Sequence, residues 1–266
     1  MLIERIWAAN GARNFHYLIA CPDTLEALAV DPLNAAACLQ RAQQLGLTIR
    51  QIFNTHEHGD HTGGNAAMVA ATGAPVLAHA DAAERIGGVT RGLRGADVVR
   101  VGRSVQLRCL DTPGHTRAHL CLYADAGRDA PPVLFSGDTL FNAGAGNCIH
   151  GGDPLLLYET FVGCLAQLPS ATRLYPGHEY LARNLQFTLD CEAGNAAASA
   201  LLQRCEGVAP ADMPLTTLGE EHDINVFFRL DSTEVIAALR RRQPRVRDNP
   251  SPREVFLALR ELRNRW

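Results

Sequence analysis

The sequence predicts an α/β domain followed by a smaller, helical domain. Its 266 residues exceed one average domain but fall short of two large ones. Short β-like runs alternate with helical stretches in the first part, whereas the chain becomes mostly helical from about Leu181 onward. We therefore expect an α/β domain over residues 1–180 and a helical domain over residues 181–266.

Short apolar runs bounded by turn residues predict the strands of the first domain. These runs are residues 17–20, 27–30, 49–53, 75–78, 105–110, 120–123 and 133–135, with a further run at 172–175. Helices are predicted between them at 34–45, 65–71 and 155–168, the last with Asp153 as N-cap and Pro154 in its first turn. In the helical part we expect helices at 193–204, 232–242 and 252–265, with Ser251 capping the last.

Composition excludes several classes of protein. The chain is 47% hydrophobic and 20% charged, as is usual for a globular protein. Glu4 and Arg5 interrupt the N-terminus, so no signal peptide is predicted, and no run approaches the roughly 20 apolar residues of a membrane span. The net charge of −3 gives no general reason to expect nucleic acid. We expect a cytoplasmic protein whose eight scattered cysteines are free thiols; the oligomeric state is not predicted.

All 25 basic residues are arginine, because the sequence contains no lysine. Any side chain that binds an anion through positive charge must therefore be an arginine. The cluster at 240–242, with Arg245 and Arg247, is interpreted as a solvated helix end and loop.

Four metal-ligand residues lie in the segment 55–61, THEHGDH, directly after a predicted strand. His56 and His58 are two residues apart, so their side chains point the same way while the backbone stays extended. Asp60 and His61 follow after the chain turns and can point to a second position nearby. One loop thus presents two pairs of ligands to two adjacent metal ions.

Three further ligand-type residues follow other predicted strands. They are His115, Asp138 and His178, each in a loop where sheet proteins commonly place functional groups. A single histidine is more often a hydrogen-bonded structural residue than a ligand, but seven ligand-type residues in this arrangement have few structural explanations. Imidazole and carboxylate ligands without thiolate suit zinc, manganese or iron(II). The pattern therefore predicts a two-metal centre of a hydrolase.

The other five histidines lack such company. His16, His79, His119 and His222 are interpreted as surface groups or as groups that support the ligands. His150 follows Cys148 in a loop that comes soon after Asp138, and it could line the pocket.

The motifs THEHGDH (55–61), PGHT (113–116), SGDT (136–139) and PGHEY (176–180) resemble those of the metallo-β-lactamase superfamily. Within it, the glyoxalase II (hydroxyacylglutathione hydrolase) family is the most similar branch. That resemblance includes RNFHYL (13–18), VDP (30–32), DTLF (138–141), NVFFR (225–229) and VFLALR (255–260), so it covers nearly the whole chain.

The resemblance implies an αββα sandwich with a C-terminal helical, substrate-binding domain. It assigns His56, His58 and His115 to one metal ion, and Asp60, His61 and His178 to the other. Asp138 would bridge the two, and Asp60 and Asp138 would be the catalytic carboxylates. The implied cofactors are two divalent ions, zinc first, with iron or manganese as alternatives. The implied reaction is hydrolysis of a small-molecule thioester, S-D-lactoylglutathione, to D-lactate and glutathione.

The sequence departs from this family at the expected substrate site. Asn147 stands where the family usually has lysine, and Ile149 where it often has tyrosine. Tyr180 is retained, and Arg260 and Arg263 match basic positions used for the glycine carboxylate of glutathione. Asn147, Tyr180, Arg260 and Arg263 are therefore the predicted substrate-binding residues, while the thioester and its thiol carrier stay open.

Several other functions are compatible with parts of the sequence. A hydrolase of a different thioester and an iron-dependent persulfide dioxygenase share the central motif, although the helical C-terminal part favours the glyoxalase II type. A lactonase or β-lactamase fits the superfamily but not the thioester-branch motifs. A nuclease would usually carry additional nucleic-acid-binding segments. A regulatory or scaffold protein without turnover is disfavoured, because structural metal sites are usually closed and mononuclear.

Overall fold

In the computed structural model, two β-sheets pack face to face, and the structure describes residues 1–125 and 130–266. The strands of the first sheet lie in sequence order: β1 (Leu2–Trp7), β2 (Phe15–Ala20), β3 (Glu26–Val30), β4 (Thr48–Phe53), β5 (Val76–His79) and β6 (Val89–Leu93). The first three strands are antiparallel neighbours, and β3 to β6 run parallel.

The second sheet contains β7 (Val98–Val101), β8 (Val105–Asp111), β9 (Leu120–Ala124), β10 (Val133–Gly137) and β13 (Arg173–Pro176). Its spatial order is β13-β10-β9-β8-β7, antiparallel except for the parallel pair β10 and β13. A separate small hairpin is formed by β11 (Leu140–Phe141) and β12 (Gly144–Ala145). It directly follows β10 and therefore lies close to the end of that strand.

The helices are α1 (Ala35–Gln44), α2 (Gly59–Thr62), α3 (Asn65–Thr72), α4 (Pro154–Gly163), α5 (Leu181–Cys191), α6 (Ala196–Arg204), α7 (Leu218–Ile224), α8 (Thr233–Arg242) and α9 (Pro252–Arg265). Asp153 caps α4 by accepting hydrogen bonds from the N–H groups of Leu155 and Leu156, as predicted. Ser251 and Glu254 form a capping box at the start of α9. None of the helices in the described ranges is long and apolar enough to cross a membrane.

Side-chain alternation along the strands builds a layer of core on each face of the first sheet. Phe15, Tyr17 and Ile19 of β2 point between the two sheets. Leu18 and Ala20 point to the opposite face, into the core that the sheet shares with α1 and α3. Because both faces are buried, β2 is apolar along most of its length rather than alternating with polar residues.

The outer face of the second sheet packs against α4 and the C-terminal helices. Leu134 of β10 and Phe161 of α4 share one core with Phe227 and Phe256 of the C-terminal part. The order of layers is therefore helix, sheet, sheet, helix, with further helices added on one side, which confirms the predicted αββα sandwich with a helical C-terminal region. The division between residues 180 and 181 remains a prediction.

Some predicted boundaries differ from the structure. The helix predicted over 155–168 ends at Gly163 and continues as a 3₁₀ turn, Leu165–Gln167. The helix predicted from residue 193 begins at Ala196, because the Asn195 side chain accepts a hydrogen bond from the N–H of Ala198 and caps it there. Strands β1, β6, β7, β11 and β12 and helices α2, α5 and α7 were not predicted. All eight cysteines are free thiols, as expected.

Candidate metal centre

The seven predicted metal ligands lie together at one edge of the sandwich. His56, His58, Asp60 and His61 follow β4 of the first sheet, the last two within α2. His115 follows β8, Asp138 follows β10, and His178 follows β13, all of the second sheet. The ligand atoms fall into three overlapping groups: His56, His58 and His115; His56, His61 and Asp138; Asp60, His61 and His178.

In the first group, three ring nitrogens converge with their lone pairs facing one another. His58 Nδ1 lies 3.0 Å from both His56 Nε2 and His115 Nε2. The other nitrogen of each ring has an acceptor: the carbonyl of Asn147 for His115 at 2.6 Å, and the carbonyl of His150 for His58 at 3.0 Å. For His56 the acceptor is the hydroxyl of Thr55. Each ring therefore carries its proton on the outside and directs an unprotonated nitrogen inward.

The third group, formed by Asp60, His61 and His178, is built in the same way. His61 donates through Nδ1 to Asp31 at 3.0 Å, and His178 donates through Nδ1 to the carbonyl of Ala12 at 2.7 Å. Their Nε2 atoms lie 3.3 Å apart. Asp60 Oδ2 lies 3.7 Å from His61 Nε2 and 3.5 Å from His178 Nε2.

Asp138 lies between the first group and the third. Its Oδ2 is 3.1 Å from His178 Nε2 and 3.5 Å from His115 Nε2, while Oδ1 is 3.4 Å from His61 Nε2. Oδ1 is buried and has no hydrogen-bond partner in the described residues. A buried set of acceptor atoms without donors is unfavourable unless a cation binds among them, so the residues present fit two adjacent metal ions.

The shifted pKa values of His56, His115 and Asp138 agree with metal binding at this site. Burial lowers the pKa of His115 to about 4 and that of His56 well below its ordinary value, so both rings are neutral and able to bind metal. Burial also opposes charge on Asp138, but His178 and His61 outweigh it and hold the pKa of Asp138 well below its ordinary value. For His61, Asp138 and Asp31 outweigh burial and raise the pKa well above its ordinary value.

Two glycines allow the ligand loops to approach one another. Gly137 has a φ of +48°, and a side chain there would collide with Thr55 and His119. A side chain at Gly177 would collide with Asp138 and His61. The close packing of these loops therefore requires both glycines.

Two residues support the ligands from behind. Asp31 accepts hydrogen bonds from His61 Nδ1 and from both the N–H and the hydroxyl of Thr55, at 2.8 and 2.7 Å for the latter two. His119, fully buried, accepts from the backbone N–H of Asp138 at 3.3 Å. His119 was predicted as a surface group or a group that supports the ligands, and in the structure it contacts the ligand Asp138. In the sequence, Asp31 is distinguished only as part of the motif VDP (30–32), because its role depends on its contact with His61, 30 residues away.

The four predicted substrate-binding residues line one cavity of about 200 Å³. Asn147, Tyr180, Arg260 and Arg263 are joined there by Phe141, Ala145, Ile149, Asn184 and Asn264. Tyr180 stacks on the ring of the ligand His178, with ring centroids 5.0 Å apart, so the cavity borders the metal centre. Ile149, in the loop before α4, is 62% exposed and gives the cavity an apolar rim. The loop also reaches the centre itself, through the carbonyls of Asn147 and His150.

Comparisons with known proteins agree over the whole chain. Residues 19–183 match the model of the metallo-beta-lactamase superfamily, and residues 179–266 match that of the hydroxyacylglutathione hydrolase C-terminus. Hydroxyacylglutathione hydrolases of Nitrosococcus oceani and a Polaromonas species are 56% and 55% identical to the chain, over 100% of both lengths. That of Anaeromyxobacter dehalogenans is 42% identical over 96% of each chain.

The chain belongs to the hydroxyacylglutathione hydrolase family.

Solved structures share the fold of this chain. ETHE1 from Myxococcus xanthus has a TM-score of 0.67 and 25% identity, and the match covers 99% of this chain and 98% of that one. BLEG-1, a B3 metallo-beta-lactamase, has a TM-score of 0.65 at 23% identity, covering 85% of this chain and 99% of its own, and shows the shared fold. Membership of this metallohydrolase family implies divalent metal binding, for which the described residues contain the histidine and aspartate clusters.

Proposed function

We propose that this protein is a binuclear thioester hydrolase that cleaves S-D-lactoylglutathione to a 2-hydroxy acid and glutathione. The observation that carries the proposal is the pairing of two features: a buried set of metal ligands facing inward, and a cavity beside it lined by two arginines of helix α9. The names of the curated relatives, which match over their full length, support the same reaction.

His56, His58 and His115 would hold one metal ion, and Asp60, His61 and His178 the other, with Asp138 shared between them. Two divalent ions bound side by side supply Lewis acidity, which lowers the pKa of water towards about 7 and polarises a carbonyl. The imidazoles keep fixed tautomers through their outer hydrogen bonds, so no ligand has to rearrange during turnover. Asp60 and Asp138 balance the charge and hold the geometry, which is the catalytic role we assign to them.

The proposed reaction does not require a nucleophilic side chain. Cys148 is the cysteine of the loop at the cavity, but burial raises its pKa to about 11, so at neutral pH it is a thiol and a poor nucleophile. Attack by water at the thioester carbonyl, with departure of the thiol, therefore accounts for the reaction. Tyr180 is held in place by donating its hydroxyl hydrogen to the carbonyl of Ala12 at 2.9 Å, and it forms a wall for the substrate.

We propose zinc in both positions, with iron and manganese as alternatives. Five imidazoles and two carboxylates suit all three. A structural relative, TTHA1623, has been described in a di-iron-bound form; its TM-score is 0.59, with 25% identity over 84% of this chain and 99% of that one. The persulfide dioxygenase considered above would use a single iron, and the complete second set of ligands favours the hydrolase over it.

The test is steady-state hydrolysis of S-D-lactoylglutathione by purified protein, with metal content and oxygen consumption measured on the same sample. We expect turnover without oxygen uptake and about two metal ions per chain. Two metal ions with negligible hydrolysis would redirect the search to other thioesters. One iron per chain with oxygen uptake would contradict the hydrolase.

A further inference from the structure

The residues that line the cavity beside the metal centre include two arginines and no carboxylate. Arg260 is 4% exposed, yet it donates only to neutral groups: the carbonyls of Ala145 and Gly146 and the amide oxygen of Asn264. Arg263 donates to the amide oxygen of Asn184 at 3.3 Å. Within residues 1–125 and 130–266, neither guanidinium forms an ion pair. Burial lowers the pKa of both to about 10, which is still too high for either to lose its charge at neutral pH.

A third arginine, Arg183, lies close to this cavity without lining it, because it contacts the same Trp266 ring as the lining residue Arg263. It stands on α5 three residues after Tyr180, and it is exposed. Its positive charge acts to lower the pKa of both Tyr180 and Arg263. In the part of the chain that the structure describes, Arg183 has no hydrogen bond or ion pair to a side-chain carboxylate.

The indole of Trp266 holds Arg183 and Arg263 together. The guanidinium carbon of Arg263 is 5.1 Å from the ring centroid and that of Arg183 is 6.0 Å from it. The ring itself is fixed, because its N–H donates to Asp190 at 2.9 Å. Asp190 is already paired with Arg242 and so does not neutralise the two arginines. Two like charges are thus kept near each other by an aromatic face, an arrangement that a bound anion would relieve.

We propose that Arg183 joins Arg263, which the family resemblance already assigns to a glycine carboxylate, in binding a carboxylate of the thiol carrier, and that Arg183 is therefore a specificity-determining residue for thioesters of anionic thiols. This inference rests on the proposed function for the identity of the substrate. It extends the predicted set of substrate-binding residues, which had no member on α5. It also places a third positive charge close to a cavity whose lining residue Asn147 is neutral.

The test compares Arg183→Gln with the unmodified protein on two substrates. One is S-D-lactoylglutathione, and the other is the same thioester with its glycine carboxylate blocked as an ethyl ester. For the free acid, we expect KM to rise roughly three- to tenfold while kcat changes less than twofold, because one exposed, charge-assisted contact is lost. For the ester, KM should be the same in both proteins. Arg183→Lys should restore most of the affinity, because it keeps the charge.

Arg103→Gln is the matched control. Arg103 is exposed in the turn before β8, whose seven residues separate that turn by roughly 20 Å from the ligand end of the strand. This variant changes the net charge equally and should leave both KM values unchanged. An unchanged KM in Arg183→Gln, or an equal rise for acid and ester, would overturn the inference.

Binding of S-methylglutathione, measured by calorimetry on the metal-loaded protein, separates this inference from the proposed reaction. It requires no turnover. If the unmodified protein binds S-methylglutathione and Arg183→Gln binds it at least threefold more weakly, the role of Arg183 is supported even when hydrolysis of the lactoyl thioester fails. If the unmodified protein does not bind S-methylglutathione, the inference is wrong.

Discussion

At the scale of single residues, the centre depends on the direction of each imidazole. Each of the five ligand rings donates through one nitrogen to a fixed acceptor and offers the other to the centre. The ligand types and their placement after strands could be predicted from spacing alone, because His-x-His in an extended segment fixes where the side chains point. The outer acceptors could not, since carbonyls such as that of Ala12 carry no sequence signature.

Substitution of Asp138 by alanine should remove the shared carboxylate and leave both groups of nitrogens without their common anion. We expect kcat to fall by at least about 100-fold, with metal content dropping from about two ions per chain towards one or none. His58→Ala should act in the same direction. Turnover assays and elemental analysis on the same preparations check this; full activity in a metal-free Asp138→Ala protein would contradict the mechanism.

Asp31→Asn tests the carboxylate behind His61. The amide keeps the shape but must place its NH₂ group near donors, because His61 and both groups of Thr55 donate to Asp31. We expect roughly 10- to 100-fold weaker metal binding at the position held by His61, measured by competition with a chelator. Asp97→Asn, in an exposed turn, is the control and should bind metal normally. Equal affinities in the two variants would show that Asp31 does not tune the site.

At the scale of elements, buried strands and capped helices were predictable, and exposed edges were not. Strand β2 is buried throughout and apolar along most of its length, and it was predicted, whereas β6 exposes Thr90, Arg91 and Gly92 and so lacks a clear pattern. The helix predicted over 155–168 was too long because an apolar run does not show where the backbone turns. At Cys164, φ is −117°, outside the α-helical range, and a 3₁₀ turn follows.

The hairpin β11–β12 is fixed to the helical part by a buried carboxylate. Glu221 of α7, fully buried, accepts from the N–H of Ala143, the hydroxyl of Thr216 and the amide of Asn225. Ala143 has a φ of +58°, so the turn is strained and needs this support. Because Phe141 and Ala145 of the hairpin line the cavity, Glu221 positions a wall of the substrate site.

Glu221→Gln should change how stability depends on pH. Burial raises the pKa of Glu221 to about 7 in the folded protein, although its hydrogen bonds act in the opposite direction. The folded state therefore holds a proton that the unfolded chain, with an ordinary value near 4.5, releases. The stability advantage of the unmodified protein over Glu221→Gln should be fullest below about pH 4.5 and decline as pH rises to about 7, by at most on the order of 3 kcal/mol. Urea denaturation of both proteins at pH 5 and pH 8 measures it; a constant difference would contradict the assignment.

At the scale of the whole molecule, the metal centre connects the two sheets. The segment after β4 belongs to the first sheet, and the loops carrying His115, Asp138 and His178 belong to the second. The sheets also share a core of apolar side chains, so their packing does not depend on metal alone. Bound metal should nevertheless stabilise the protein, because the ligands come together only in the folded state.

Removal of metal by a chelator should lower Tm by about 10–20 °C. Each ion present at 100 times its Kd contributes about 2.7 kcal/mol, so two ions contribute about 5.4 kcal/mol, and each kcal/mol corresponds to about 2–4 °C in a protein of this size. Scanning calorimetry with and without chelator measures the change, and Asp138→Ala should show a smaller one. An unchanged Tm after verified metal loss would mean that the apoprotein is already held as firmly by its core.

The core shared by α4 and the C-terminal helices stabilises the fold and also fixes the distance between α9 and the metal ligands. Since Leu134 of β10 and Phe256 of α9 pack in one core, Arg260 and Arg263 are held at a constant distance from the metal ligands. The substrate site then has a fixed length. We expect it to select thiols by the span between their sulfur and their carboxylate, rejecting carriers of the right charge but the wrong length.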